Sequence, residues 1–403
     1  MCRECKTTIH VKIRGSENHT TRKTKEFMIK KKCDDTQQSQ SGIIWLLQLL
    51  CCRQDLVRKT HFSTEPLSEF GNVEKTSRLE EDQCGVSQHK SKQSVPMLYD
   101  PSYRITQSNT IEFQCDSIKG FTTELPVINR LIFNFDNTIW ITRATLNILQ
   151  KIKVEGDHLN IISTFNIKAF DIASSPTGNL LIASDKSFIQ LIQCHQHDIE
   201  VSRYDISPFL PTAIHVSRHG KIIIGAMSTG LAFPPTGERK LIVLDMHGDH
   251  EYTVQHGDLN NMLFTYPISI TSNNFGDAFV LDRFNTVCEG RVVILDKLGT
   301  VKNIYSGHPI FNIDQKFKPK DIAATNNTLI ICEAHNHTLH IINCSGNLIQ
   351  YVNTKAILGI SFPQSLYSTE DQLLIGTSRK KGSTDKSKLY IVKIHPIIHK
   401  FVH

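Results

Sequence analysis

The sequence predicts an all-β protein built as a six-bladed β-propeller, and three observations lead to that class. One short pattern, an apolar strand followed by a turn and a second apolar strand, recurs six times. A third strand follows each copy, and in most copies a fourth. The copies are 41 to 56 residues apart, close to the roughly 40–50 residues of a four-stranded blade. We therefore expect six blades within residues 103–395.

The clearest copy is Asp171–Ala183, in which Pro176, Thr177 and Gly178 supply the turn between two apolar runs. Aligned on the second residue of this copy, the six copies start at Leu131, Ile172, Ile214, Ile270, Ile322 and Leu366. Four antiparallel strands per copy make one blade. The aromatic candidates for packing between blades are Phe135, Trp140, Phe170 and Phe279.

The last copy ends with its third strand at Lys388–Ile394, so its blade lacks an outer strand. A strand-like segment at residues 110–115 precedes the first copy and has no partner of its own. We expect this segment to be the outer strand of the last blade, because pairing the two chain ends covers an edge that would otherwise stay open.

Composition fits a soluble globular protein, with 39% hydrophobic and 21% charged residues in a chain of 403. The net charge is +6, and most of that excess lies in the first 100 residues, so bulk charge gives little reason to expect DNA as a partner. Eleven scattered cysteines and the lack of a signal peptide favour a cytoplasmic protein with reduced thiols. The most apolar run, at 43–52, is too short for the roughly 20 residues that span a bilayer.

The first 102 residues differ in texture from the repeats. Residues 33–102 indicate a largely irregular linker with a short helix near 43–58. No heptad pattern persists there, so we expect no coiled coil and no oligomer built on one. Residues 1–32 are basic and contain two cysteines followed by two histidines, Cys2, Cys5, His10 and His19.

The repeats resemble the NHL-type propellers at the C-terminus of tripartite-motif (TRIM) proteins. The resemblance lies in strand runs that end Leu-Asp-x-x-Gly or Ile-Asn-x-x-Gly, at 244–248, 295–299 and 342–346, and in the Asp-Ile-Ala starts at Asp171 and Asp321. It implies a non-catalytic scaffold similar to the propeller that recognises substrates of TRIM ubiquitin ligases. Some TRIM propellers bind RNA, which is the alternative function. Ligase activity resides in a RING, which this sequence lacks, so no enzyme activity is expected.

TRIM proteins also carry B-box zinc modules, and Cys2, Cys5, His10 and His19 resemble the second half of a B-box. Two interpretations follow. The four residues could form one zinc site, since thiolate and imidazole are the ligands that zinc prefers. Alternatively, they are a remnant whose upstream ligands are missing because the chain starts at Met1, and a remnant without those ligands holds no metal. We expect an incomplete B-box at 1–32, with zinc as the one candidate cofactor.

A second candidate site follows from the alignment of the repeats. The position just after the second strand is basic in five copies: Arg143, Lys186, Arg283, His335 and Arg379. The loops between second and third strands all emerge on one face of a propeller, so these residues predict a basic rim that binds an acidic protein partner or RNA. The alternative is ordinary solvated loop charge.

A metal-dependent enzyme is the alternative from a different class. Lactonase-like six-bladed propellers hold a divalent cation in the central channel, and the candidate inward oxygens here belong to Asp171, Asp321, Asn134 and Asn273. No motif of that family is recognisable around them. Two histidine groups, His195 with His197 and His335 with His337 and His340, lack cysteines or carboxylates at metal-ligand spacing. We therefore expect no catalytic residue, and a protein as the main partner.

Overall fold

A computed structural model describes residues 115–394, with gaps at 195, 197, 258–260, 309–310, 313–314 and 326. The predictions for residues 1–102, including the short helix and the zinc residues Cys2, Cys5, His10 and His19, lie outside the described residues, as does the pair His195 and His197. The described part of the chain contains 24 strands arranged as six four-stranded sheets. This confirms the all-β, six-bladed architecture.

Each sheet is one blade, and its strands are antiparallel neighbours. Blade 1 consists of β2 (Arg130–Phe133), β3 (Thr138–Arg143), β4 (Ile148–Glu155) and β5 (His158–Asn166). Blade 2 consists of β6 (Asp171–Ser174), β7 (Leu180–Ala183), β8 (Phe188–Ile192) and β9 (Glu200–Asp205). Blade 3 consists of β10 (Leu210–Val216), β11 (Ile222–Met227), β12 (Arg239–Leu244) and β13 (His250–Val254).

Blade 4 consists of β14 (Pro267–Ser272), β15 (Ala278–Arg283), β16 (Gly290–Leu295) and β17 (Val301–Tyr305). Blade 5 consists of β18 (Asp321–Ala324), β19 (Thr328–Glu333), β20 (Thr338–Asn343) and β21 (Leu348–Asn353). Blade 6 consists of β22 (Pro363–Ser368), β23 (Gln372–Thr377), β24 (Lys388–Ile394) and β1 (Cys115–Thr122). A 3-10 turn at Ala144–Leu146 and the short helix α1 (Thr354–Leu358) lie in connections.

The ring of blades is closed by strand β1. The first strand of every blade contacts the first strand of both neighbours, and β2 contacts β22 as well as β6. Strand β1 pairs antiparallel with β24, with Phe121 opposite Leu389. The sequence predicts this outer strand at 110–115. Residues 110–114 lie outside the described part, and the strand that pairs with β24 is Cys115–Thr122.

The second strands of the blades form the core because each blade is covered on both sides by a neighbour. β7 buries all four of its residues, and β11, β15 and β19 bury all six of theirs. Outer strands such as β17 are exposed over most of their length. An uninterrupted apolar run is therefore the sequence signature of a second strand here, and it explains why those strands are the most easily recognised.

Three of the four aromatic packing candidates lie inside the propeller and one does not. Phe279 and Trp140 are buried, and Phe170 is half-buried. Phe135 is 64% exposed, because it lies at the tip of the β2–β3 turn. Its ring covers Gly178 of the neighbouring turn, where φ is +80° and a Cβ atom would lie 1.7 Å from the ring. Phe135 therefore selects glycine at that turn and does not fill the core.

The strand order gives the disc two distinct faces. Turns between first and second strands and between third and fourth strands lie on one side, which we call the turn face. Connections between second and third strands and between blades lie on the other side, which we call the loop face. Contacts between blades follow this division: His219 lies 3.0 Å from the Asn274 carbonyl on the turn face, and the Arg379 N–H donates to the Pro126 carbonyl on the loop face.

Among the residues that the structure describes, no helix is both long and apolar enough to cross a membrane.

Candidate functional site

The first strands of the six blades surround a central channel, and one residue of each blade forms a ring around it. This residue immediately precedes the aligned apolar position of its blade. The six residues, which we call the inner ring, are Arg130, Asp171, Ala213, Ser269, Asp321 and Ser365. Since each first strand begins at the loop face, and each ring residue lies within the first few residues of its strand, the inner ring lies near the loop-face end of the channel.

Arg130 crosses the channel and contacts three other blades. Its Nε donates to Oδ1 of Asp171 in blade 2 over 3.0 Å, and a terminal nitrogen lies 3.9 Å from Oδ1 of Asp321 in blade 5. The other terminal nitrogen donates to the carbonyl of Ile268 in blade 4. The Arg130 side chain is only 12% exposed. One guanidinium thus occupies the channel at this level and connects blade 1 to blades 2, 4 and 5.

The two aspartates make the same contact in opposite halves of the propeller. Oδ2 of Asp171 accepts a hydrogen bond from the backbone N–H of Ile214 in blade 3, over 2.9 Å. Oδ2 of Asp321 accepts one from the N–H of Leu366 in blade 6, also over 2.9 Å. In both cases the donor is the aligned apolar residue of the next blade. The repeated Asp-Ile-Ala start of the sequence therefore encodes an inter-blade hydrogen bond.

Two serines continue this pattern around the inner ring. Ser269 donates from Oγ to Oδ1 of Asp321 over 2.6 Å, and Ser365 donates from Oγ to the carbonyl of Ile128 over 3.0 Å. Each contact points to the following blade. Ala213, which has no polar side-chain atom, is the exception. Its blade is joined to the next one by a contact of 2.8 Å between Nε2 of His215 and Oγ of Ser272.

Burial raises the pKa values of the two carboxyls in the inner ring, whereas the Arg130 guanidinium lowers them. Burial raises the pKa of Asp171 to about 7, although the Arg130 charge and the N–H of Ile214 lower it. Burial also raises the pKa of Asp321, again against the lowering effect of Arg130. For Arg130 itself, burial lowers the pKa, while the charges of Asp321 and Asp171 outweigh that effect and raise it. The three groups therefore depend on one another for their charged states.

The structure brings together only two of the four oxygen donors suggested for a channel metal. Asp171 and Asp321 lie on either side of the Arg130 guanidinium, which already supplies a cation to both. Asn134 accepts from Oγ of Ser174, and Asn273 accepts from two backbone N–H groups of its own β14–β15 turn. Within the described residues, no group of three or more His, Cys, Asp or Glu side chains could hold a metal ion.

The five residues of the predicted basic rim all lie at the loop face, one in each of five blades. Lys186 and His335 are exposed, and Arg379 is half-buried. Arg143 is half-buried and donates to Oδ1 of Asn129 over 3.2 Å. They are spread around the face and do not converge on one point.

Arg283 differs from the other rim residues because it is only 6% exposed. Its Nε donates to the carbonyl of Asn285 over 2.8 Å, and a terminal nitrogen donates to that of Thr286 over 3.0 Å. The loop after β15 folds back over the guanidinium, so Arg283 stabilises its own loop and presents little charge to solvent. The sequence pattern showed a basic residue here but could not show this fold-back.

The three histidines of blade 5 have separate surroundings. His335 is exposed in the loop-face connection between β19 and β20, and Nδ1 of His337 accepts from the N–H of Phe362 over 2.9 Å. His340 is fully buried, with Nδ1 at 2.8 Å from the Tyr305 hydroxyl and Nε2 at 3.4 Å from Oε2 of Glu333. They do not form a common site.

Charge is divided between the two faces of the disc, a feature that the sequence alone did not reveal. The cations of the loop-face connections are Lys168, Lys186, Lys316, Lys318, Lys320, Lys355, Arg379, Lys380, Lys381 and Lys386. The acids of those connections are Glu124, Asp185, Glu238, Glu289 and Asp385, while Asp258 and Asp314 fall in the gaps of the described residues. Cations therefore outnumber acids on the loop face.

The turn face has the opposite balance. The acids of its turns are Asp136, Asp157, Asp198, Asp245, Asp249, Asp277, Asp296, Glu370 and Asp371, and the cations are Arg218, Lys221 and Lys297. The small net charge of the repeat region thus conceals a basic face and an acidic face. This separation becomes visible only when the strand order shows which turns lie on which side of the disc.

Comparison with known proteins shows the fold alone. No family model matches the chain, and no curated protein matches it in sequence. A luciferin-regenerating enzyme is 10% identical, with a TM-score of 0.52 over 70% of this chain and 97% of that one. A putative gluconolactonase is 9% identical, with a TM-score of 0.51 over 72% and 97%. The WD40 repeats of RRP9 are 11% identical, with a TM-score of 0.47 over 70% and 100%. The likeness to the first two of these proteins concerns the propeller fold and not the function.

Proposed function

We propose that this propeller is a non-catalytic interaction scaffold whose loop face binds an acidic segment of a protein partner. The separation of charge between the two faces carries the proposal. An acidic segment is attracted to the loop face and repelled by the turn face, so it meets the disc in one orientation. The exposed rim residues Lys186 and His335 and the half-buried Arg379 belong to this surface.

The inner ring supports a scaffold in preference to a metal-dependent hydrolase. Asp171 and Asp321 both face the permanently charged guanidinium of Arg130 and also accept backbone hydrogen bonds. Their oxygens are therefore engaged in joining blades. Likeness to a gluconolactonase at 9% identity concerns the fold and brings no chemistry with it.

The TRIM resemblance gives this proposal a setting. By that resemblance, the partner is a substrate in the ubiquitin pathway, and residues 1–32 are a B-box remnant with zinc as its candidate metal. These parts rest on the sequence resemblance. A zinc assay on the full chain, compared with a chain in which Cys2 and Cys5 are serine, tests the metal.

Charge reversal on each face tests the proposed binding surface. One variant carries Lys186→Glu, Lys380→Glu and Lys381→Glu, three exposed loop-face cations. Its control carries Arg218→Glu and Lys297→Glu in the turns of the turn face and Lys393→Glu near the turn-face end of β24, and all three cations are exposed. The probe is a fluorescent peptide of about 12 residues made of Glu, Asp and Ser, and the full chain is titrated by anisotropy at several salt concentrations.

We expect the loop-face variant to bind the peptide at least about tenfold more weakly and with a smaller salt dependence. The control variant should change affinity less than about threefold. Equal losses in the two variants, or no binding by the unmodified protein, would contradict the proposal. Binding of a single-stranded RNA of equal length but not of the peptide would support the RNA-binding alternative instead.

A further inference from the structure

A small apolar cluster lies at the loop face where blades 2, 3 and 4 meet. Its half-buried members are Phe170, Leu210, Phe233 and Ile268, which pack against the buried Tyr266 and its neighbours. Phe170 directly precedes the ring residue Asp171, and the Ile268 carbonyl accepts a hydrogen bond from Arg130. The cluster is therefore located at the loop-face mouth of the channel, next to the inner ring.

The wall that carries Phe233 is held in shape by a buried arginine. Arg239 is 1% exposed, and its guanidinium donates to the carbonyls of Thr236, Glu238 and Leu231 over 2.8 to 2.9 Å. All three belong to the connection at 228–238, so one side chain fixes the loop from within. Burial without a carboxylate partner lowers the pKa of Arg239. A loop that is organised in advance loses little entropy when a partner binds.

The opposite wall is fixed by a buried aspartate. Oδ1 of Asp282, which is fully buried, accepts the backbone N–H groups of Thr265 and Tyr266 over 2.8 and 2.7 Å. Tyr266 in turn meets Phe233 edge-on, with ring centroids 5.4 Å apart. The two walls of the cluster are thus connected through aromatic contact.

Two cations flank this apolar surface. The Lys168 ammonium lies 5.2 Å from the centre of the Phe170 ring, and the Arg283 guanidinium carbon lies 5.1 Å from the centre of the Phe233 ring. A cation therefore covers one face of each ring. A nucleobase needs an open ring face for stacking, whereas an apolar side chain can pack against ring edges and against Leu210. This arrangement favours an apolar side chain over a base.

We propose that the channel mouth formed by Phe170, Leu210 and Phe233 receives one large apolar side chain of an acidic peptide, whose adjacent carboxylates face Lys168. This inference rests on the proposed function and refines it, because it assigns the partner a motif: an apolar anchor residue within an acidic segment. The surrounding loop-face cations supply attraction, and the mouth supplies the fixed point that sets the register of the peptide.

Paired peptides test the anchor separately from the charge. Two fluorescent peptides share the same Glu, Asp and Ser composition and differ at one central position, which is Leu in one and Ala in the other. We expect the full chain to bind the Leu peptide about tenfold more tightly, as burial of one such side chain allows. In the variant Phe170→Ala with Leu210→Ala, this preference should fall below about threefold, while the Ala peptide binds as before.

The control is Leu146→Ala, which removes an apolar side chain that is 52% exposed on the same face but belongs to blade 1. It should keep the preference for the Leu peptide. Circular dichroism establishes that each variant is folded. A second variant, Lys168→Met, keeps the length of the side chain and should lower the affinity for both peptides about equally.

Each remaining outcome has a definite meaning. Equal binding of both peptides by the unmodified protein overturns the anchor inference and leaves the charged face intact. Binding of neither peptide overturns the proposed function and this inference together. If a single-stranded RNA of about 12 nucleotides binds more tightly than both peptides and loses affinity in the Phe170→Ala, Leu210→Ala variant, the mouth binds nucleic acid and the inference is wrong.

Discussion

Nε of Arg130 lies 3.0 Å from Oδ1 of Asp171, and this ion pair joins the inner strands of blades 1 and 2. The other oxygen of Asp171 accepts the N–H of Ile214, so one carboxylate connects three successive blades. Asp321 repeats the backbone contact with Leu366 on the far side of the channel. The propeller is thus connected at its centre by a cation that belongs to the chain itself.

Replacement of Arg130 by methionine should destabilise the propeller strongly. The change leaves Asp171 and Asp321 buried without their cation, and an unpaired buried charge costs about 3–5 kcal/mol. Urea unfolding followed by tryptophan fluorescence would measure this loss, since Trp140 lies in the core. Arg379→Met is the matched control, because that half-buried side chain should contribute less than about 1 kcal/mol.

A combined variant separates charge from packing. If the missing cation causes the loss, Arg130→Met together with Asp171→Asn and Asp321→Asn should recover a substantial part of the stability, because no unpaired charge remains. If the triple variant is no more stable than Arg130→Met alone, the role assigned to the guanidinium is wrong.

Phe121 should be important for closure of the ring. It is 5% exposed on β1, the strand that completes blade 6, and lies opposite Leu389, which is fully buried. We expect Phe121→Ala to lower the free energy of unfolding by about 3 kcal/mol, as for other buried aromatic residues. Limited proteolysis should then cut first near β1. Thr122→Ala, at an exposed neighbour, should change neither stability nor cleavage.

The blades could be predicted from the sequence because the second strands are buried on both sides and read as continuous apolar runs. The inner ring was visible in part: Asp171 and Asp321 precede the aligned apolar residue, and so does Arg130. A further signal was available, since a proline stands two residues before four ring positions, at Pro211, Pro267, Pro319 and Pro363. An alignment of the ring position in all six copies shows one arginine, two aspartates, two serines and one alanine.

The contacts of the ring could not be predicted, because Arg130 and Asp321 are remote in sequence and meet only when the ring closes. Burial of Arg283 could not be predicted for a different reason, because it depends on the path of the loop that follows. Its position at the end of β15 predicted a rim residue, but the loop at 284–289 folds back and buries it. Likewise, the separation of charge depends on which turns share a face. A count of charges along the sequence adds the basic and the acidic face together and gives a small net charge.

Tyr305 belongs to a buried polar chain that should contribute to stability. Its hydroxyl lies 2.8 Å from Nδ1 of His340, and Nε2 of His340 lies 3.4 Å from Oε2 of Glu333. The other carboxylate oxygen of Glu333 accepts the N–H of Lys318 over 2.9 Å. Burial raises the pKa of Tyr305, so the hydroxyl stays protonated. Tyr305→Phe leaves a ring nitrogen of His340 without that partner, and we expect a loss of about 1–3 kcal/mol in urea unfolding.

Tyr252→Phe serves as the comparison for Tyr305. The Tyr252 hydroxyl donates to the Lys297 carbonyl over 3.3 Å at an exposed position on the turn face, where water can replace it. We expect a change below about 0.5 kcal/mol. Similar effects of the two substitutions would mean that burial of the Tyr305 contact adds nothing to stability.

His215 should make the propeller sensitive to mild acid. Burial lowers the pKa of His215 to about 4, from an ordinary value of 6.5, while its Nε2 lies 2.8 Å from Oγ of Ser272. Between pH 6.5 and 4 the unfolded chain therefore takes up a proton that the folded protein does not. Stability from this residue is present above pH 6.5 and is lost as the pH falls towards 4, by up to about 3 kcal/mol.

The variant His215→Gln isolates this contribution, because glutamine keeps a polar group near Ser272 but does not titrate. Urea unfolding is measured for both proteins from pH 7 to pH 4. The carboxyls that titrate in the same range, Asp171 among them, are present in both proteins, so their effect cancels in the difference. We expect the unmodified protein to lose more stability than the variant on acidification. Parallel curves would show that His215 takes up its proton equally in the folded and unfolded states. The contact between His215 and Ser272 would then not be the cause of lower stability at low pH.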